Sequence, residues 1–138
     1  MAKLTRHEIR EGALILLYQA ELTGADLPEI LAECEEAFGL EGNAAITGLA
    51  AGVLENKDAL DEIIAKYSQT RKVERVPKIN LVITRLALYE MDFLPEIPDK
   101  VAMNEAIELS KEYAYQPDSK FISGLLGAYY KDKYNERE

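Results

Sequence analysis

Apolar residues recur at three- and four-residue spacing through residues 79–124, and this pattern most constrains what the chain can fold into. Such spacing is typical of helices with one buried face. Proline fits the first turn of a helix and interrupts its interior, so the prolines mark where one helix ends and the next begins. Helices are predicted over residues 77–93, from Pro98 to about Tyr115, and from Pro117 to about Tyr130, and the charged tail Lys131–Glu138 is expected to fray.

The same periodicity covers the first half of the chain. Thr5 and Glu8 match a capping box, and Gly24 supplies a stop for the helix between them. Helices are predicted over residues 6–22 and 26–39, with one long helix or two joined helices over residues 44–68. No period-2 alternation persists long enough for a strand. We therefore predict an all-α fold of about seven helices with short connections.

Ala44, Gly48 and Gly52 recur every four residues and form a ridge of small side chains. Such a ridge lets another helix approach closely, and we expect this packing within the chain rather than across a dimer. The polar, basic segment 68–76 predicts the link between two helical halves of a single domain, about residues 1–68 and 76–138. The sequence leaves a monomer and a homodimer open.

Composition narrows the function classes. The chain has 138 residues, a net charge of −9, one cysteine and one histidine. These counts exclude an internal disulfide and a four-ligand Cys/His zinc site, and we expect no metal and no cofactor. No window approaches the roughly 18 apolar residues of a membrane span, and the charged start disfavours a secretory signal. We expect a cytoplasmic protein with no membrane partner.

Enzyme signatures are missing from the sequence. There is no Gly-rich phosphate loop, no G-x-S-x-G elbow and no H-E-x-x-H motif. Cys34 sits at apolar helical spacing, which is typical of a core position rather than of a nucleophile. We therefore predict no catalytic residues and no enzymatic activity.

Two groups of residues favour binding to RNA. Arginine makes planar contacts to phosphate, and an aromatic ring can stack on an unpaired base. The first group lies on one side of the first helix, beside its buried stripe, and comprises Lys3, Arg6, His7, Arg10 and Tyr18. The second surrounds the start of the last helix, where free amides favour phosphate, and comprises Tyr113, Lys120 and Phe121. The alternatives are a solvated helix face for the first group and a core position for Phe121.

These segments together resemble the NusB family of bacterial transcription antitermination factors. The N-terminal resemblance lies in Arg10-Glu11, Ala13 and Leu17-Tyr18, and a middle one lies in Ala51-Gly52-Val53, Asn56 and Leu60-Asp61. The strongest match comprises Arg85–Glu90, Val101–Leu109 and Lys120–Gly124. The chain departs from the family pattern where Leu4, Thr5 and His7 dilute the basic start, and where Ser123 replaces the usual Asn.

The resemblance implies a NusB-like bundle of two packed helical subdomains. It also implies binding of boxA RNA together with the ribosomal protein NusE, within the transcription elongation complex, in support of ribosomal RNA operons. Carried onto this chain, the basic start corresponds to Lys3, Arg6 and Arg10, the neighbouring aromatic to Tyr18, and a later RNA-contacting segment to Lys120 and Phe121. The alternative is a helical protein-interaction module of the same fold without RNA specificity.

Overall fold

The computed structural model describes residues 4–38, 44–68, 72–114 and 118–135, and all its regular elements are helices. Their order is α1 (Arg6–Thr23), α2 (Leu27–Phe38), α3 (Ala44–Glu55), α4 (Lys57–Tyr67), a 3₁₀ helix (Val73–Arg75), α5 (Lys78–Phe93), α6 (Asp99–Tyr113) and α7 (Asp118–Asn135). The prediction of an all-α fold with about seven helices is confirmed over these described ranges.

The ends of α1 follow from local side-chain chemistry. The Thr5 hydroxyl accepts a hydrogen bond from the Glu8 backbone N–H at 3.1 Å, and the Glu8 carboxylate accepts one from the Thr5 N–H at 2.8 Å. At the other end Gly24 adopts a left-handed conformation with φ 73°, and its N–H donates to the Ala20 carbonyl. Both the predicted capping box and the predicted glycine stop are confirmed.

The described chain divides into two compact units, Met1–Glu55 and Asn56–Glu138. Residues 44–68 form two helices, because a turn at Asn56 separates α3 from α4. The sequence predicted a boundary at the link 68–76, which would assign the residues of α4 to the N-terminal half. In the structure its contacts place it in the second unit.

An ion pair joins α4 to α5. The Arg85 Nε donates to Asp61 Oδ1 at 2.7 Å, and Nη2 of the same guanidinium donates to Oδ2 at 2.9 Å. Arg85 is 5% exposed. A two-point contact of this kind fixes geometry as well as charge, so it sets the register between the two helices.

Close packing in the first unit occurs at a glycine that the sequence analysis did not single out. A Cβ added to Gly12 of α1 would lie 2.7 Å from the Cδ1 atom of Ile46 on α3. The predicted role of Gly48 in close packing is wrong, because Gly48 is exposed and a Cβ there would meet no described atom within 4 Å. Ala44 is also exposed, whereas Gly52 is buried. The ridge of small residues is therefore only partly covered.

Helix α5 is the core of the second unit and contacts α4, α6 and α7. Its eight consecutive residues 81–88 are all buried. A helix that is enclosed on all sides is expected where apolar residues occupy every face. Both polar members of this run have partners, since the Thr84 hydroxyl donates to the Asn80 carbonyl at 2.7 Å and Arg85 pairs with Asp61.

The last helix is longer than predicted. Residues 131–135 continue α7, so the expectation of a frayed tail is wrong for this stretch, and residues 136–138 lie outside the described part. The reason is a set of polar contacts to the connection between α5 and α6. Lys133 Nζ donates to the Met91 carbonyl at 2.8 Å and to Asp99 at 2.9 Å, and the Tyr134 hydroxyl donates to Asp99 at 3.2 Å.

Candidate nucleic-acid interface

The first group of candidate residues lies on α1, with the exception of Lys3, which falls outside the described residues. Arg6 is exposed at the first position of the helix. His7 is half-buried, and its Nε2 lies 3.4 Å from Glu11 Oε1, one turn further on. Arg6 and His7 are adjacent and lie at the same end of α1. This end can offer a cation to a phosphate, although the Glu11 carboxylate competes for His7.

Arg10 is not a surface residue, contrary to the prediction. It is 2% exposed and shares a buried stripe with Ala13, Leu14 and Leu17, which follow it at helical spacing. Arginine remains charged in proteins, so its burial demands partners inside the fold. We therefore assign Arg10 to the structure of α1 rather than to direct contact with a ligand.

Tyr18 is half-buried and lies well away from the cationic end of the helix. Twelve residues separate it from Arg6, which corresponds to about 18 Å along the helix axis. The two side chains therefore cannot contact the same phosphate. They could only act at successive points along one extended strand.

The carboxylates of α1 reduce its positive potential. Glu8 and Glu11 share the first two turns with Arg6 and His7. The hydrogen bond from the Thr5 backbone N–H lowers the pKa of the Glu8 carboxyl from its ordinary value, so this group is fully ionised at neutral pH. The described part of this helix end is thus close to electrically balanced.

The second group of candidate residues is brought together at the junction of α6 and α7. Ser110 on α6 and Ser119 on α7 share a hydrogen bond between their Oγ atoms, at 2.8 Å. Tyr113 is the last residue of α6 and is 42% exposed. Lys120 is exposed in the first turn of α7, and Phe121 beside it is half-buried. An exposed aromatic ring and an exposed ammonium therefore flank one helix N-terminus, the arrangement predicted to favour phosphate and an unstacked base.

A polar cluster at the far end of α7 was missed by the sequence analysis. Lys133 lies between Asp92 and Asp99, and Tyr129 donates a hydrogen bond to Asp92 at 2.7 Å. These partners lie 34 or more residues apart along the chain, so no local sequence pattern predicts that they are in contact. The only sequence signal was the acidic residue in the first turn of α6, a position where a carboxylate is stabilised by the helix dipole.

The fold is that of a small all-α protein made of two compact helical units. A family model described as the NusB family matches residues 7–131. The transcription antitermination protein NusB of Bacillus cereus (strain B4264) is 37% identical over 123 residues, which cover 89% of this chain and 95% of that relative. The chain belongs to the NusB family, and the predicted family membership is confirmed.

Solved structures agree with this assignment. The NusB structure from T. maritima matches with a TM-score of 0.81 at 29% sequence identity, covering 92% of this chain and 91% of that one. A chain in the crystal structure of the antitermination factors NusB and NusE in complex with dsRNA matches with a TM-score of 0.80 at 25% identity, covering 94% and 99%. The NusB-like fold is therefore confirmed.

Among the residues that the structure describes, no helix has both the length and the apolar character needed to cross a bilayer.

Proposed function

We propose that this protein is a transcription antitermination factor that binds boxA RNA jointly with the ribosomal protein NusE, in support of ribosomal RNA operons. The observation that carries the proposal is the match to relatives named as transcription antitermination proteins over nearly their whole length. A solved complex of NusB, NusE and RNA contains a chain of the same fold. We infer no catalytic step, and place its action in the cytoplasm on the elongation complex.

The RNA contacts are proposed at two places. At the junction of α6 and α7, Lys120 would neutralise a phosphate, and Tyr113 and Phe121 would offer aromatic faces to unpaired bases. On α1, Arg6 and His7 would contact the backbone, with Lys3 before them and Tyr18 further along. Arg10 supports α1 from within. For the described residues, this division follows from the exposure of their side chains.

The electrostatic part of this interface is small. Lys3, Arg6 and Lys120 are three cations, and three phosphate contacts on a single strand give a log–log salt slope of about −2. Affinity should then fall only about 20-fold between 50 and 200 mM salt. Such a small electrostatic contribution to RNA affinity favours joint recognition, in which NusE supplies the remaining contact surface.

A titration of labelled boxA RNA tests the proposal. The wild-type chain with NusE should bind boxA more tightly than a scrambled RNA, and more tightly than the chain alone. Lys120→Ala should weaken binding and reduce the salt slope by about 0.7, because one phosphate contact is lost. Lys111→Ala is the matched control, since Lys111 is an exposed lysine on α6 whose ammonium lies 3.6 Å from Glu108. Equal effects of the two substitutions would contradict the assignment of Lys120.

A second function has one observation in its favour. The burial of Arg10 removes a cation from an already diluted basic start, which favours a protein-interaction module without RNA specificity. Equal affinity for boxA and scrambled RNA, with NusE binding retained, would support that alternative. Light scattering as a function of concentration distinguishes the monomer from the homodimer in either case.

A further inference from the structure

A cavity of about 610 Å³ lies within the second unit, between the connection from α5 to α6 and the end of α7. Its apolar floor includes Met91 and Ile97, which are 4% and 5% exposed. Its walls include Phe93 and Tyr134, large rings that are 46% and 38% exposed. This volume is in the range of sites that bind small molecules or single side chains.

The polar centre of the cavity is built around one ammonium group. Lys133 Nζ lies 2.8 Å from the Met91 carbonyl, 2.9 Å from Asp99 Oδ2 and 3.7 Å from Asp92 Oδ1. The side chain of Asp99 is 8% exposed, that of Lys133 is 17% exposed and that of Asp92 is 24% exposed. All three donors of the ammonium therefore have acceptors nearby, and Lys133 has none left for an anionic ligand.

The carboxylates, in contrast, retain acceptor capacity. Asp99 uses Oδ2 for both Lys133 and Tyr134, and its Oδ1 accepts no hydrogen bond from the described residues. Two carboxylates also face a single ammonium, which leaves one uncompensated negative charge at the cavity. A partly buried, acceptor-rich centre with aromatic walls is complementary to an organic cation and repels phosphate.

We propose that this cavity binds the arginine side chain of a basic segment in a partner protein. A guanidinium group fits because it is planar, donates several hydrogen bonds to carboxylates and stacks on aromatic rings. A polypeptide source is favoured because the two exposed prolines of the connection, Pro95 and Pro98, add apolar surface to the cavity lining. None of these residues belongs to the proposed RNA contacts, so each proposal can fail without the other.

The test is an NMR titration of the full chain with a capped Gly-Arg-Gly peptide. The expected result is that backbone amide signals of Phe93, Asp99 and Tyr134 shift, and that the citrulline analogue binds about tenfold more weakly, a factor equal to about 1.4 kcal/mol. Citrulline keeps the shape of arginine but lacks its charge. Equal binding of the two peptides, or shifts elsewhere on the protein, would overturn the proposal.

Substitutions locate the site. Asp92→Asn should lower the affinity for the arginine peptide several-fold, because it removes the excess negative charge. The asparagine keeps an oxygen that can accept the hydrogen bond from Tyr129. Phe93→Ala should do the same by removing a stacking wall, and should leave boxA affinity unchanged. Asp132→Asn is the matched control, because Asp132 of α7 also accepts a hydrogen bond from a tyrosine, Tyr67 of α4, but does not line the cavity. If Asp132→Asn lowers the affinity for the peptide as much as Asp92→Asn does, the proposal is wrong.

Other occupants are separated by three further titrations. Lys133→Met should bind the arginine peptide more tightly, because the ligand then replaces the missing internal cation; weaker binding by a folded variant would refute the proposal. Spermidine binding in preference to the peptide would assign the cavity to a free polyamine instead. Arg137→Ala should have no effect, and an increase in peptide affinity would assign the cavity to the chain's own tail.

Discussion

Gly12 and Gly48 offer a matched pair of substitutions to alanine with opposite expected effects. Both lie in helices, where alanine is favoured over glycine by about 1 kcal/mol. At Gly48 the new methyl group would meet no described atom within 4 Å. Gly48→Ala should therefore raise the free energy of unfolding by up to about 1 kcal/mol.

Gly12→Ala should lower the free energy of unfolding despite the same helical gain. Its Cβ would lie 2.7 Å from Ile46 Cδ1 and 3.1 Å from both Cγ atoms, whereas carbon atoms normally approach to about 3.5–4.0 Å. Ile46 is 2% exposed and β-branched, so it cannot easily rotate away. Overpacking of this kind costs about 1–3 kcal/mol, which leaves a net loss of about 1 kcal/mol.

Urea unfolding followed by circular dichroism would measure both variants. The two free energies should differ by about 2 kcal/mol, and each 1 kcal/mol corresponds to roughly 4 °C in melting temperature for a chain of this size. Ile46→Val removes the Cδ1 atom, so the double variant with Gly12→Ala should recover part of the loss and reveal a favourable coupling. If Gly12→Ala stabilises the protein as much as Gly48→Ala does, the inferred close packing of α1 and α3 is refuted.

Three further predictions concern buried or partly buried polar groups. Arg10→Ala should lower the free energy of unfolding by more than 1 kcal/mol, whereas Arg6→Ala should change it by less than about 0.5 kcal/mol; chemical denaturation of both variants checks this, and equal small effects would contradict the burial of Arg10. Asn80 is 0% exposed and its side-chain amide has no hydrogen-bond partner among the described residues, so Asn80→Leu should raise the melting temperature; a decrease would show that the amide is satisfied. Burial, and then the hydrogen bond to Asp92, raise the pKa of Tyr129 above its ordinary value of 10.0. The folded state therefore holds this proton more tightly, so stability should be fully present below about pH 10 and fall above it, and Tyr129→Phe should flatten that decline in a pH series of unfolding curves.

Local chemistry explains why much of the fold was predictable. The ends of α1 depend on Thr5, Glu8 and Gly24, which act within four residues of the helix ends they cap. The break at Asn56 was left open, because apolar spacing continues across it without a proline. The extent of α7 could not be predicted, since Lys133 depends on Asp99, which is 34 residues away along the chain.

The candidate site was predictable only in part, for a geometric reason. Apolar residues on α1 follow two neighbouring stripes, and the sequence favours the one through Ile9 and Leu16 as the buried stripe because it contains no charged residue. The structure also buries the stripe that begins at Arg10. A charged residue at the edge of two possible stripes cannot be placed by periodicity alone. The exposure of Tyr113 and Lys120 is consistent with the predicted second group, whose role in RNA binding stays a prediction.

The contacts of Lys133 and Tyr134 have a practical consequence for recombinant work. A shortened version ending near Tyr130 would lose both groups that hold the α5–α6 connection, and Asp99 would keep its charge without a counterion. Such a product should purify poorly or be clipped by proteases at that connection. An affinity tag is better joined through a flexible linker placed after the final residue than grafted onto the last helical turn.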